Sequence, residues 1–298
     1  MKSCLMRCSA HFTTFLQQSF LKYVTVYYED LPAKEAVKIL TEAGFAYGEI
    51  SEDHLHELMQ KGDPVRTGRE FGEYARQQGM TISQGHLSFA KGDWMTNSAS
   101  VEKLKPELEL YTAMGVKNAV LHANGDDTLP PEVRYARVVE NLRKVAEFAG
   151  TLGITVCLEN LMSTQYLRTA DPILQLIRDA GDKNMGICLD TGHLHLCNKQ
   201  GLANQSQGEF IRKAGKYLQA MHVVDNDGLG DTHQMPFSAR YGVNWKEVMI
   251  ALREIRYPGL FNLECLGEQM APLPIRRAKL DYMQKMCDYM FTDEFIKN

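Results

Sequence analysis

The chain has 298 residues, 44% hydrophobic and 23% charged, the balance of a soluble globular protein with room for a large core. Its 37 acidic and 33 basic residues leave a net charge of −4, which gives no general attraction to nucleic acid or to an anionic membrane. No apolar run approaches the roughly 20 residues that a membrane-spanning helix needs.

The first stretch, "MKSCLMRCSAHFTTFLQQSF", has apolar residues, but Arg7, His11 and two glutamines break them up. We read residues 1–19 as an N-terminal extension rather than a signal peptide, and residues 20–298 as one domain. The seven cysteines are odd in number and lack a CxxC pair, which points to reduced thiols in a cytoplasmic protein.

From there the chain alternates. The strand candidates, in order, are "KYVTVYY", "YGEIS", "TISQGHLSF", "NAVLHA", "ITVCLEN", "MGICLD", "YLQAMHVVD" and "GLFNLEC". Apolar residues at helical spacing predict helices near 32–43, 66–78, 100–114, 130–152, 171–180, 205–215, 244–255 and 274–291. Pro106 is expected to kink or split the third. Asp171 and Pro172 are expected to open the fifth as N-cap and first residue, with Gly181 stopping it. Strands alternating with helices predict a parallel sheet, and eight such units in about 250 residues predict a single-domain (β/α)8 barrel of the α/β class. A doubly wound open sheet is the alternative, but no glycine-rich phosphate loop follows the first strand.

In a barrel the C-terminal strand ends face one mouth, where active sites form. Glu159 ends "VCLE", Asp190 ends "ICLD", His222 lies in "AMHVVD" and Glu264 ends "FNLE". One such residue alone is more often a helix cap, a surface charge or a hydrogen-bonded core histidine. Four on successive strands argue for a site. Carboxylates crowded into a low-dielectric mouth need a partner. This mixed oxygen and nitrogen set suits one divalent ion: Mn, Co, Mg or Zn. His193, three residues after Asp190, is expected at the start of the following loop, with Gly192 easing the turn. His86 and His122 also lie near strand ends. The long loop "DNDGLGDTHQMPFSARYG" adds Asp231 and His233 and suggests substrate contact. Trp94 and Phe89 are placed to stack on a substrate or to pack under a loop, and Trp245 reads as a packing residue.

At these residues the chain resembles the xylose-isomerase-like TIM barrels. "LEN", "LDTGH", "HVVDNDG…DTH" and the late "LE" carry the resemblance, over roughly residues 20–290. The superfamily holds sugar isomerases, ketose 3-epimerases, dehydratases and apurinic endonucleases. In its epimerase branch the resemblance implies one metal on Glu159, Asp190, His222 and Glu264. Glu159 and Glu264 would be acid and base, and His193 would touch substrate, with His86, His122, Asp231 and His233 around it. The Arg that epimerases place after the strand-seven His has no clear equivalent in "VVDNDGLGDTH". The endonuclease branch binds three zinc ions, and all nine of these residues match its ligand pattern. An acidic chain argues against a duplex-DNA substrate.

The expected chemistry is removal of a proton beside a carbonyl, giving an enediolate whose charge a metal stabilises. The expected substrate is a small sugar or keto-sugar, with no nucleic-acid or membrane partner and with self-association. The same parts would serve a lyase that eliminates water or cleaves a C-glycoside. A binding protein that keeps the fold without turnover is a third class.

Overall fold

The computed structural model describes residues 21–24, 28–88, 94–265 and 269–297. The expected extension, residues 1–19, and Phe89 lie outside them. Eight strands follow one another: β1 (Leu21–Val24), β2 (Tyr47–Ile50), β3 (Thr81–His86), β4 (Asn118–Leu121), β5 (Thr155–Glu159), β6 (Met185–Asp190), β7 (Leu218–His222) and β8 (Leu260–Leu263). Among the described residues the helices are α1 (Ala33–Glu42), α2 (Glu52–Met59), α3 (Pro64–Gln78), α4 (Ser98–Met114), α5 (Pro131–Thr151), α6 (Ala170–Ala180), α7 (Thr191–Lys199), α8 (Gln207–Ala214), α9 (Trp245–Glu254), α10 (Leu273–Met290) and α11 (Asp293–Lys297). None of them is long and apolar enough to cross a membrane.

Every strand pair is parallel. β2 to β7 form a six-stranded sheet in chain order, and β8 pairs with β1. The Val223 amide donates to the Asn262 carbonyl at 2.7 Å and ties β7 to β8, while β1 lies against β2. The sheet thus curls into the TIM barrel that the alternation predicts.

The interior follows from the two-residue period of a strand. Val120, Cys157, Cys188 and Ala220 form a small buried cluster of their own, one residue from each of β4 to β7. The main apolar core lies elsewhere and includes their strand neighbours Ala119, Val156, Leu158, Ile187 and Met221. Two positions further along the same face stand His122, Glu159, Asp190 and His222. The side chains that line the mouth are therefore the next interior layer above a floor of small residues.

Several local expectations change. Pro106 does not split its helix: α4 runs unbroken from Ser98 to Met114. Leu104, Glu107 and Leu108 are buried on both sides of the proline, and that packing outweighs one lost backbone hydrogen bond. The α6 cap is Thr169, not Asp171, whose carboxylate instead pairs with Lys213 at 2.5 Å. Gly181 does end α6, in the left-handed region at φ 112°. No loop follows β6. Asp190 is both the last strand residue and the N-cap of α7, its Oδ1 accepting from the His193 amide at 2.5 Å, so His193 rides on the first helical turn. Gly192 does not ease a turn there. It supplies room, because a Cβ would lie 2.7 Å from Val224 and 2.9 Å from the Asn226 amide.

Candidate metal centre at the barrel mouth

All nine residues singled out from the sequence converge on one end of the barrel. They fall into three groups whose ligating atoms lie within 4.8 Å of one another: Glu159 with Asp190, His222 and Glu264; His86 and His122 with Glu159; and His193 with Asp231 and His233. Glu159 belongs to two of them. Its Oε2 lies 2.9 Å from His122 Nε2 and 3.3 Å from His86 Nε2, while Oε1 lies 3.4 Å from His222 Nδ1.

The four-residue group is buried throughout except for a slightly open Glu264. His222 Nδ1 lies 3.0 Å from Glu264 Oε2, yet it makes no hydrogen bond of acceptable geometry, and neither does Asp190 Oδ2. Buried polar atoms are nearly always bonded. Two that are not, aimed at the same point as two further carboxylates, fit a divalent cation with oxygen and nitrogen ligands.

Three of the imidazoles are fixed from behind by main-chain carbonyls. His86 Nδ1 contacts the Leu87 carbonyl at 2.8 Å, His193 Nδ1 the Asn160 carbonyl at 2.9 Å and His233 Nδ1 the Glu264 carbonyl at 2.9 Å. A carbonyl only accepts, so Nδ1 carries the proton in each contact and Nε2 is left for a ligand. The asparagine after β5 does more. Asn160 exchanges two hydrogen bonds with the Asp190 backbone, at 2.7 and 3.0 Å, and so sets the position of that carboxylate.

The electrostatics follow burial first and neighbours second. Desolvation would raise Glu159, but the imidazoles of His222 and His122 outweigh it and hold the carboxyl well below its usual range. Glu264 is lowered for the same reason, His222 overcoming burial. Asp190 goes the other way: burial, with Glu159 and Glu264 nearby, pushes it up to about 6 against the pull of His193. His193 and His222 are raised despite burial because carboxylates surround them, whereas His122 is lowered because burial prevails. His233 is pushed up to about 10, chiefly by Asp231 acting against burial.

The loop after β7 is anchored rather than loose. Asp225, buried, accepts from the amides of Asn226, Phe237 and Val243 and from the Trp245 indole at 2.9 to 3.1 Å, and its backbone pairs with Gln234. Trp245 is thus a packing residue with one polar duty. The hub folds the loop so that His233, at φ 44°, turns inward. Trp94 lies away from the nine, in a surface pocket with Asn97, Asp126, Arg137 and Lys144. The sequence reading did not single out Glu49, Asn160 or Asp225. Asn160 lies inside the quoted "LEN" and Asp225 inside "HVVDNDG", whereas Glu49 lies in a strand with no such motif.

Comparison with known proteins follows the same geometry. The chain is 29% identical over 160 residues to the D-psicose 3-epimerase of Agrobacterium fabrum, covering 53% of this chain and 51% of that protein. It is also 29% identical over 143 residues to a probable AP endonuclease of African swine fever virus, covering 47% of this chain and 45% of that one. The chain thus spans about half the length of these curated relatives. A crystal structure of D-psicose 3-epimerase in the presence of D-fructose superimposes with a TM-score of 0.74 at 20% identity, over 91% of this chain and 98% of that one, which establishes the shared fold. The sequence pattern of one family matches residues 37–286, most of the chain, and by that match the protein belongs to the xylose isomerase-like TIM barrels.

Proposed function

We propose that the protein is a metal-dependent epimerase or isomerase of a small keto-sugar. One observation carries this: the carboxylates of Glu159 and Glu264 meet the unsatisfied His222 Nδ1 and Asp190 Oδ2 at the mouth. These four residues would hold one divalent ion, which supplies charge stabilisation to a developing enediolate. The chain's own work is proton transfer. Glu264, its side chain 12% exposed against 2% for Glu159, presents a base to the opening. It removes the proton beside the carbonyl. Glu159 enters from a separate strand and, once it has taken up a proton, returns one on the other face. His193 and His233 orient hydroxyls, with Asp231 between them at 3.1 and 3.4 Å. The sugar epimerases among its relatives support this reading, and the five buried unbridged cysteines among the described residues fit a cytoplasmic setting.

Incubating the metal-loaded protein with ketohexoses in D2O tests it. Deuterium entering the carbon beside the carbonyl is the expected result. Absence of exchange across a panel of free and phosphorylated ketoses, with metal bound, overturns it.

A second reading has its own observation. The His86–His122 and His193–Asp231–His233 groups flank the central four, and Glu159 is shared between two of the groups, so the mouth has ligands for three ions. Three ions would suit phosphodiester hydrolysis. Three metal ions per chain, with nicking of abasic duplex DNA, would make this reading the correct one.

A further inference from the structure

We infer that Glu49 is a positioning residue for the metal centre, holding His222 in the one tautomer that can ligate. The inference rests on the four-ligand reading above. His222 is the exception among the imidazoles of the mouth. Three others turn Nδ1 to a backbone carbonyl, whereas His222 turns Nε2 inward, 3.2 Å from Glu49 Oε1. Glu49 lies on β2 one interior layer below the site. Its carboxylate takes the side-chain amides of Gln84 on β3 and, at 2.7 Å, of Asn262 on β8. Glu49, Gln84, His222 and Asn262 are all at most 2% exposed. A carboxylate flanked by two amide donors accepts a third hydrogen bond, so Nε2 is the nitrogen that carries hydrogen. Nδ1 is then left with its lone pair toward Glu159, Asp190 and Glu264, which accounts for its lack of a hydrogen bond.

Two consequences follow. Glu49 adds negative charge behind the imidazole and strengthens His222 as a ligand, as carboxylates behind metal-bound histidines do. It also fixes the ring against rotation, because its own position is set from β3 and β8. The anchors of His86, His193 and His233 are main-chain carbonyls. The orientation of His222 depends instead on a replaceable side chain.

The test uses the full-length chain and cobalt(II) as the metal probe. In metal-free protein labelled with 15N-histidine and titrated upward in pH until His222 is neutral, long-range 1H–15N spectra are expected to show the Nε2–H tautomer. A neutral His222 carrying Nδ1–H overturns the inference without any variant. Glu49→Gln is expected to lose the single-tautomer signal and to bind cobalt(II) 10- to 100-fold more weakly by calorimetry. Ile187→Val, which disturbs the buried core of β6 without touching the Glu49 clasp, is expected to keep both properties. An unchanged His222 signal with unchanged affinity in Glu49→Gln overturns the inference, as does an equal loss in Ile187→Val. If the unaltered protein binds no cobalt(II), the metal reading fails, and the tautomer spectra still decide the role of Glu49.

Discussion

Glu264 Oε2 and His222 Nδ1, from neighbouring strands, stand 3.0 Å apart without a well-formed hydrogen bond between them. That gap separates a ligand role from a base role. Glu264→Gln keeps an oxygen at the site and loses the proton acceptor. On whichever ketose shows deuterium exchange, kcat is expected to fall by about 10²- to 10⁴-fold with bound metal retained. Retained activity would show that another group is the base.

Removing metal should also cost stability. A ligand that binds only the folded state at about 100 times its dissociation constant stabilises by about 2.7 kcal/mol. Chelator-treated protein is therefore expected to melt several degrees lower, and added divalent ion is expected to restore the Tm. Identical melting with and without metal would count against a resident ion.

The Asp225 hub gives a prediction for the loop. Asp225→Ala leaves three amides and an indole without their acceptor and is expected to destabilise by roughly 3 kcal/mol. Gly242→Ala should act on the same carboxylate, because a Cβ there would lie 2.0 Å from Asp225 Oδ1. Both variants are expected to open residues 226–244 to proteolysis before the barrel unfolds. Cleavage at wild-type rates would contradict the hub.

A pH prediction comes from the segments that follow β1 and β8. Arg276 grips Asp30 with two hydrogen bonds, at 2.6 and 2.9 Å, and holds its carboxyl below the usual value. The folded pKa is depressed, so this contribution is present above pH about 4 and is lost as pH falls through the folded value. Asp30→Asn is expected to lower the Tm at pH 7, and the difference from wild type is expected to shrink as pH falls below about 4, in a melting series. A constant difference across that range would exclude the pair as its source.

How much of this was legible beforehand depended on local pattern. "MGICLD" was bounded to the residue because every position of β6 is buried and apolar runs mark such strands. His122, Glu159, Asp190 and His222 were legible because strand alternation carries a side chain two places past a small interior residue onto the same face, whereas His193 stood out by its place after Asp190 and Asp231 and His233 by the length of their loop. α2 was missed: apart from Leu55, Leu58 and Met59 its sequence is polar, and Ser51 caps it without a Glu three residues on. α7 was hidden because Asp190 reads as a strand-end carboxylate, while its side chain also caps the helix. Glu49 was illegible for a different reason. Its partners lie 35, 173 and 213 positions away, and no periodicity within "YGEIS" announces them.

Those separations have a consequence for how the molecule is made. The Glu49–Asn262 contact joins residues 213 apart, and the Asp30–Arg276 pair joins residues 246 apart. During synthesis eight of the nine mouth residues emerge before β8, but the clasp beneath His222 and the last carboxylate arrive only with it. Long-range closure of this kind is slow, since chain entropy is lost before contacts repay it. The nascent chain therefore cannot assemble the complete mouth until its final strand has docked, so an assembled mouth reports on completed folding.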